Sequence, residues 1–190
     1  MKLYKSKKLL NIDNNAKTIK GQKYKVMTAI LYFAPAKISG FNVCPHADDC
    51  ALTCLNTAGR GQMGSVQLGR INKTRWYFLE RHTFMAQLHK EIKRHINRCK
   101  IKGFKPAFRI NGTSDLKVEN MGLIQKYPMA QWYDYTKNPI RMKKFIDGKM
   151  PSNYHLTFSL GSTNKIDAKK VLKLGGSVAT VFRDKKLPKK

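Results

Sequence analysis

Pro106-Ala107-Phe108-Arg109-Ile110-Asn111-Gly112-Thr113-Ser114-Asp115 begins as a β-forming run and stops in a polar loop that contains a glycine. A strand over Pro106–Ile110 follows from that composition, and Gly112 provides for a tight turn behind it. A helical stretch, Leu116 to Tyr127, comes next. The same order returns at intervals of roughly 24 residues: Gln131–Tyr135 before Pro139–Phe145, then Tyr154–Leu160 before Lys165–Leu174. Gly175-Gly176 leads into a last strand, Ser177–Phe182. Strand, loop and helix repeated at this period predict βα units, whose right-handed crossovers build a parallel sheet.

Working toward the N-terminus, Tyr24 to Phe33 is rich in β-formers and ends at Ala34-Pro35, which predicts one more strand. From Thr74 to Cys99 the residues Phe78, Met85, Leu88, Ile92, Ile96 and Cys99 recur on one helical face, opposite Lys, Arg and His. Gly103 ends that helix. Gly59-Arg60-Gly61-Gln62-Met63-Gly64 reads as loop, since three glycines in six positions defeat a helix. The expected fold is therefore α/β: a partial (β/α) barrel or an open, mostly parallel sheet with flanking helices. A closed barrel needs roughly 250 residues, more than this chain has.

The sequence has 190 residues, 42% of them apolar, which suits one domain able to bury a core. We read residues 1–25, with eight lysines, as a basic N-terminal arm, residues 26–183 as the domain, and residues 184–190 as a basic tail. Thirty-eight Lys and Arg against eleven Asp and Glu give a formal charge of +27. That charge repels itself in a compact domain unless a polyanion neutralises it, so nucleic acid, DNA or RNA, is the expected partner. Codon bias is the plain alternative, but it would also raise Asp and Glu, which are scarce. No run approaches the roughly 18 apolar residues of a membrane span, and Met1–Leu10 does not read as a secretory signal. A cytoplasmic setting, where thiols stay reduced, is the expectation.

In such a setting Cys44-Pro45-His46-Ala47-Asp48-Asp49-Cys50-Ala51-Leu52-Thr53-Cys54 points to metal. Cys50 and Cys54 stand one helical turn apart, and the Pro45 turn lets Cys44 fold back toward them. Zinc would take the three thiolates with His46 or Cys99 as fourth ligand. A [4Fe-4S] cluster can be held by three cysteines, leaving one iron open to a small molecule. Three free thiols, behaving as small apolar groups, are the alternative.

Parallel α/β sheets bind ligands at the carboxyl ends of their strands. There lie Arg109, Asn111 and Asp115, then Asp134 and Lys137, then Ser159, all candidates for cofactor binding. Thr113, Ser114 and Thr136 accompany them. Ser114 or Asp115 can equally cap the following helix. Tyr133 and Tyr135 suit strand core or interface better than base stacking, whereas Lys137 suits a phosphate or carboxylate. The five histidines are scattered, and no pattern assigns a catalytic acid, base or nucleophile.

The segments Cys-Pro-x-Ala-x-x-Cys, Cys-Leu-Asn-Thr-Ala-Gly-Arg-Gly, Arg-Ile-Asn-Gly-Thr-Ser-Asp, Tyr-Asp-Tyr-Thr-Lys and Leu-Thr-Phe-Ser together resemble a family of phage- and plasmid-encoded proteins known as a numbered gene product, gene product 88. The resemblance spans about residues 30–183 and implies a setting in a host cytoplasm. More distantly, the chain is similar to the radical S-adenosylmethionine enzymes, which carry a cysteine trio after the first strand of a partial barrel. That likeness implies a cluster on Cys44, Cys50 and Cys54 whose open iron takes S-adenosylmethionine. The spacing here departs from the usual C-x3-C-x2-C of those enzymes.

Overall fold

The computed structural model describes residues 4–12, 15–47, 50 and 54–182. Six strands form one open sheet: β1 (Leu10–Ile12), β2 (Val26–Leu31), β3 (Lys105–Arg109), β4 (Gln131–Thr136), β5 (Tyr154–Ser159) and β6 (Val178–Ala179). They lie in chain order across the sheet. Among the described residues only β1 is antiparallel to its neighbour; every other pair is parallel. The sheet does not close into a barrel. The helices are α1 (Ala16–Ile19), α2 (Gly64–Leu79), α3 (Arg81–Ile101), α4 (Leu123–Lys126), α5 (Pro139–Ile146) and α6 (Lys165–Lys173). Among the described residues no helix is long and apolar enough to cross a membrane.

Each parallel crossover steps to the next strand in the same direction, and right-handed connections of that kind carry all their helices on one face. The register agrees. Ala29 pairs with Phe108, Phe108 with Trp132, and Trp132 with Tyr154. These residues are all buried, in one cluster with Phe84, Leu88 and Ile92 of α3, Met142 of α5 and Val171 of α6. The Phe108 and Trp132 rings stack at 4.7 Å. Residues at the alternate positions turn the other way. There Tyr133 hydrogen-bonds Thr28, the Arg109 guanidinium lies 4.7 Å from the centre of the Tyr135 ring, and Tyr135 and His155 are exposed. On the same face Thr28, Ile30 and Ala107 are buried, so it is covered at β2 and β3 and meets solvent at β4 and β5.

Three segments differ from their sequence reading. The long helix over Thr74–Cys99 is two helices that meet at Glu80 (φ −133°, ψ 60°). The bend gathers Trp76, Tyr77 and Phe84 around Phe33, with ring centroids 5.2–5.9 Å apart, and Trp76 Nε1 donates to Thr83 Oγ1 across it. Phe78 therefore leaves the core and stacks on Phe41 at 4.5 Å. The stretch Leu116–Tyr127 holds only a 3₁₀ turn, Val118–Met121, and the single turn of α4, because Gly122 between them has φ 70°.

The third difference is the N-terminal segment expected as an arm. Leu9 and Leu10 are fully buried, and β1 pairs with β2. The Glu91 carboxylate accepts from the backbone N–H groups of Leu9 and Leu10, and Lys73 Nζ donates to the Leu9 carbonyl. Two apolar residues among lysines are enough to seat the segment, once buried partners on α2 and α3 take up its free backbone groups.

Candidate functional site at the strand ends

Past the carboxyl ends of β3, β4 and β5 the chain leaves an open cavity of about 410 Å³, within the usual size of small-molecule sites. Its floor is the loop that follows β3. Asn111 organises that loop: its Nδ2 donates to the Leu116 carbonyl and to Asp134 Oδ2, and its Oδ1 accepts from Ser114 Oγ and the Leu116 N–H. Gly112 approaches so closely that a Cβ there would lie 2.5 Å from Tyr32 Cδ1 and 2.7 Å from the Leu31 carbonyl. Neither Ser114 nor Asp115 caps a helix. The Asp115 carboxylate instead accepts from Thr136 Oγ1 and the Lys137 N–H, fastening the β3 loop to the end of β4.

Arg141 of α5 completes this framework. Its guanidinium, only 1% exposed, lies 2.7 Å from Asp115, 2.8 Å from Glu119 and 3.8 Å from Asp134, and it donates to Tyr154 Oη. Asn138 sets the helix in place by accepting from the Ile140 and Arg141 N–H groups. Burial works against the Arg141 charge, but Tyr154, Asp134 and Glu119 outweigh it and hold the guanidinium protonated. Asp134 is fully enclosed; burial pushes its pKa up to about 6, with Arg141, Arg109 and Asn111 pulling the other way. Asp134 thus belongs to the supporting network and is not among the residues that line the cavity.

The other strand-end candidates do line it: Arg109, Asn111, Asp115, Lys137 and Ser159. Arg109 Nε donates to the Asn111 carbonyl, which orients the guanidinium above Tyr135. Gly161 leaves room for the Lys137 ammonium, which would meet any Cβ at that position. That ammonium makes no hydrogen bond or ion pair among the described residues. It is close enough to Cys50 to lower the thiol pKa, although burial, the larger effect, raises it.

Cys44, Cys50 and Cys54 open into the same cavity, with His46 beside them. Cys44 is held by its Sγ on the Thr113 carbonyl at 3.7 Å, and Cys54 Sγ accepts from the Asn56 N–H at 3.4 Å. Burial, with smaller contributions from charge on Cys54, Asp115 and Cys50, pushes the Cys44 thiol up to about 11, against a hydrogen bond with the Ala36 backbone. A soft cation would favour the ionised form of Cys44 and Cys50, against the burial that raises both. Even so, no three His, Cys, Asp or Glu side chains among the described residues stand close enough together to hold a metal ion. Asp48, Asp49 and residues 51–53 lie outside the described residues. Cys99, considered above as a fourth zinc ligand, is buried on α3 with its Sγ 3.5 Å from His95 Nε2, and it does not line the cavity.

Sequence reasoning missed Arg141 and the wall formed by Pro35, Ala36 and Thr180. The Pro139 start of α5 was legible, but nothing in the sequence links Arg141 to Asp115 across 26 residues. In comparisons with known proteins, the family model described as Gene product 88 matches residues 4–190. No curated protein and no solved structure matches the chain.

Proposed function

The chain belongs to the gene product 88 family, and from its strand-end site we propose that it is an iron–sulfur enzyme, of the same general design as the radical S-adenosylmethionine enzymes, that acts on nucleic acid or nucleotides in a reducing cytoplasm. One observation carries the reading. Three cysteines from the segment after β2 share a cavity with Arg109, Lys137 and Ser159 at the carboxyl ends of parallel strands. A cluster with one open iron requires three cysteines beside a ligand cavity; the three line this one without being gathered into a ligand set among the described residues, so binding a cluster would have to draw them together.

Cys44, Cys50 and Cys54 would hold the cluster, which when bound supplies single-electron chemistry to a small cofactor such as S-adenosylmethionine. The remaining residues bind and orient. Lys137, whose ammonium has no partner among the described residues, is the cation for a carboxylate or phosphate. Arg109, fastened to the Asn111 carbonyl and stacked on Tyr135, offers a second, pre-oriented cation. Asp115 and Arg141 keep the β3 loop and the end of β4 in one arrangement, so the two cations keep their spacing. The net charge of +27 supports a polyanionic substrate.

His46 at the same cavity favours a second reading, a nucleic-acid-binding protein with a structural zinc on the three thiolates and His46. Metal analysis after strictly anaerobic purification separates the two. The iron–sulfur reading expects iron and sulfide, a brown colour with visible charge-transfer absorbance, and loss of both in Cys44→Ser, Cys50→Ser and Cys54→Ser. Stoichiometric zinc without iron overturns it in favour of the second reading. Neither metal, even after anaerobic reconstitution, overturns both.

A further inference from the structure

A second cavity, of about 470 Å³, opens beside the first, with Asn11, Tyr32, Arg60, Gly61, Arg70 and Thr113 among its lining residues. Thr113 lines both cavities, so the two adjoin. Arg60 arrives on the 3₁₀ turn Gly59–Gln62, which needs the left-handed backbone of Gly59 (φ 53°). Arg70 arrives from α2. Its guanidinium lies 5.0 Å from the centre of the Tyr32 ring and donates to Asn56 Oδ1.

Arg70 is half-buried, yet among the described residues neither it nor Arg60 pairs with a carboxylate. A desolvated guanidinium without a counter-charge is costly, and an anion entering the cavity would relieve that cost. Two guanidiniums from different elements, with Asn11 beside them, can supply several charge-assisted hydrogen bonds to the oxygens of one phosphate. A flat aromatic ring already holds one of the two in orientation.

We propose that this second cavity is a phosphate-ester site, in which Arg60 and Arg70 hold a phosphate of a nucleotide or nucleic-acid strand whose adjoining unit reaches the cysteine cavity past Thr113. The site deepens the substrate part of the function proposed above and rests on it. It does not rest on any metal.

The test is calorimetric titration of the full-length protein, prepared metal-free, with inorganic phosphate, a nucleoside 5′-monophosphate, the unphosphorylated nucleoside and a short single-stranded oligonucleotide. Three variants are compared: Arg70→Gln, Arg60→Gln and, as a charge-matched control, Lys169→Gln on the exposed side of α6. The phosphate-bearing ligands should bind wild type and the Lys169 variant alike. Arg60→Gln and Arg70→Gln should each weaken binding about tenfold, the loss of one charge-assisted contact. The Arg60 side chain is exposed and makes no hydrogen bond among the described residues, so its variant tests the site even if Arg70→Gln unfolds.

Tighter binding of the oligonucleotide than of the monophosphate, lost in the same variants, identifies a strand as the ligand; equal binding identifies a mononucleotide. Affinity of Arg60→Gln within twofold of the Lys169 control overturns the proposal, as does a nucleoside that binds as tightly as its monophosphate, or no binding at all. Because the titration needs no metal, its failure and the failure of the metal reading are separate results.

Discussion

The Arg141 guanidinium lies 2.7 Å from the Asp115 carboxylate, and that ion pair joins α5 to the loop that floors the cavity. Asp115 in turn receives the Lys137 N–H, so the position of a cavity lysine depends on an arginine on the helix behind it. The same guanidinium meets Glu119 and Asp134, so one cation serves three carboxylates.

Removing that cation leaves buried negative charge uncompensated. Arg141→Met should therefore lower the unfolding free energy by about 3 to 5 kcal/mol. Urea denaturation at neutral pH measures it; a loss under about 1 kcal/mol would show that the three carboxylates find other partners.

Asp134 makes stability depend on pH in a defined direction. Its native pKa, raised by burial to about 6 from 3.8, means that between these values the native state binds more protons than the unfolded chain. Stability from this group therefore falls as pH rises from about 4 to about 6. The stability of wild type minus that of Asp134→Asn should decline across this interval and level off above it. A difference that rises with pH would contradict the assignment.

Gly112 lies where any Cβ would strike both the Tyr32 ring and the Leu31 carbonyl. A ring can shift, but a carbonyl that already accepts the Gly112 N–H cannot move without breaking that bond. Gly112→Ala should cost about 1 to 3 kcal/mol. Thermal unfolding should show it, with Gly69→Ala, where a Cβ meets nothing within 4 Å, as the neutral or stabilising control.

Phosphate contacts displace counter-ions, so binding of single-stranded nucleic acid should weaken by about a thousandfold between about 50 and 200 mM salt. Fluorescence anisotropy at several salt concentrations gives the slope. A flat profile would leave the +27 charge without the proposed partner.

The βα repeat was legible because its signals are local. Apolar runs of strand length and glycine and proline punctuation lie within a few residues of one another, and β3, β4, β5, α5 and α6 stand close to where composition puts them. The long helix was misread for a nonlocal reason. Periodicity continues through Glu80, but packing of Trp76, Tyr77 and Phe84 around Phe33 favours two shorter helices. Strand-end position likewise suggested Asp134 as a ligand contact, whereas alternation along β4 turns it toward α5 and Arg141.

By itself, then, the sequence determined an α/β chain of strong positive charge, with cysteines following a strand and polar residues following several others. Those properties belong to short segments and to composition. Tertiary structure alone decided that the cysteines and strand-end cations share one cavity, that Leu9 and Leu10 are core, and that Arg60 and Arg70 flank a second cavity. Each of these depends on which distant segments the sheet and its crossovers bring together, and no local spacing encodes that.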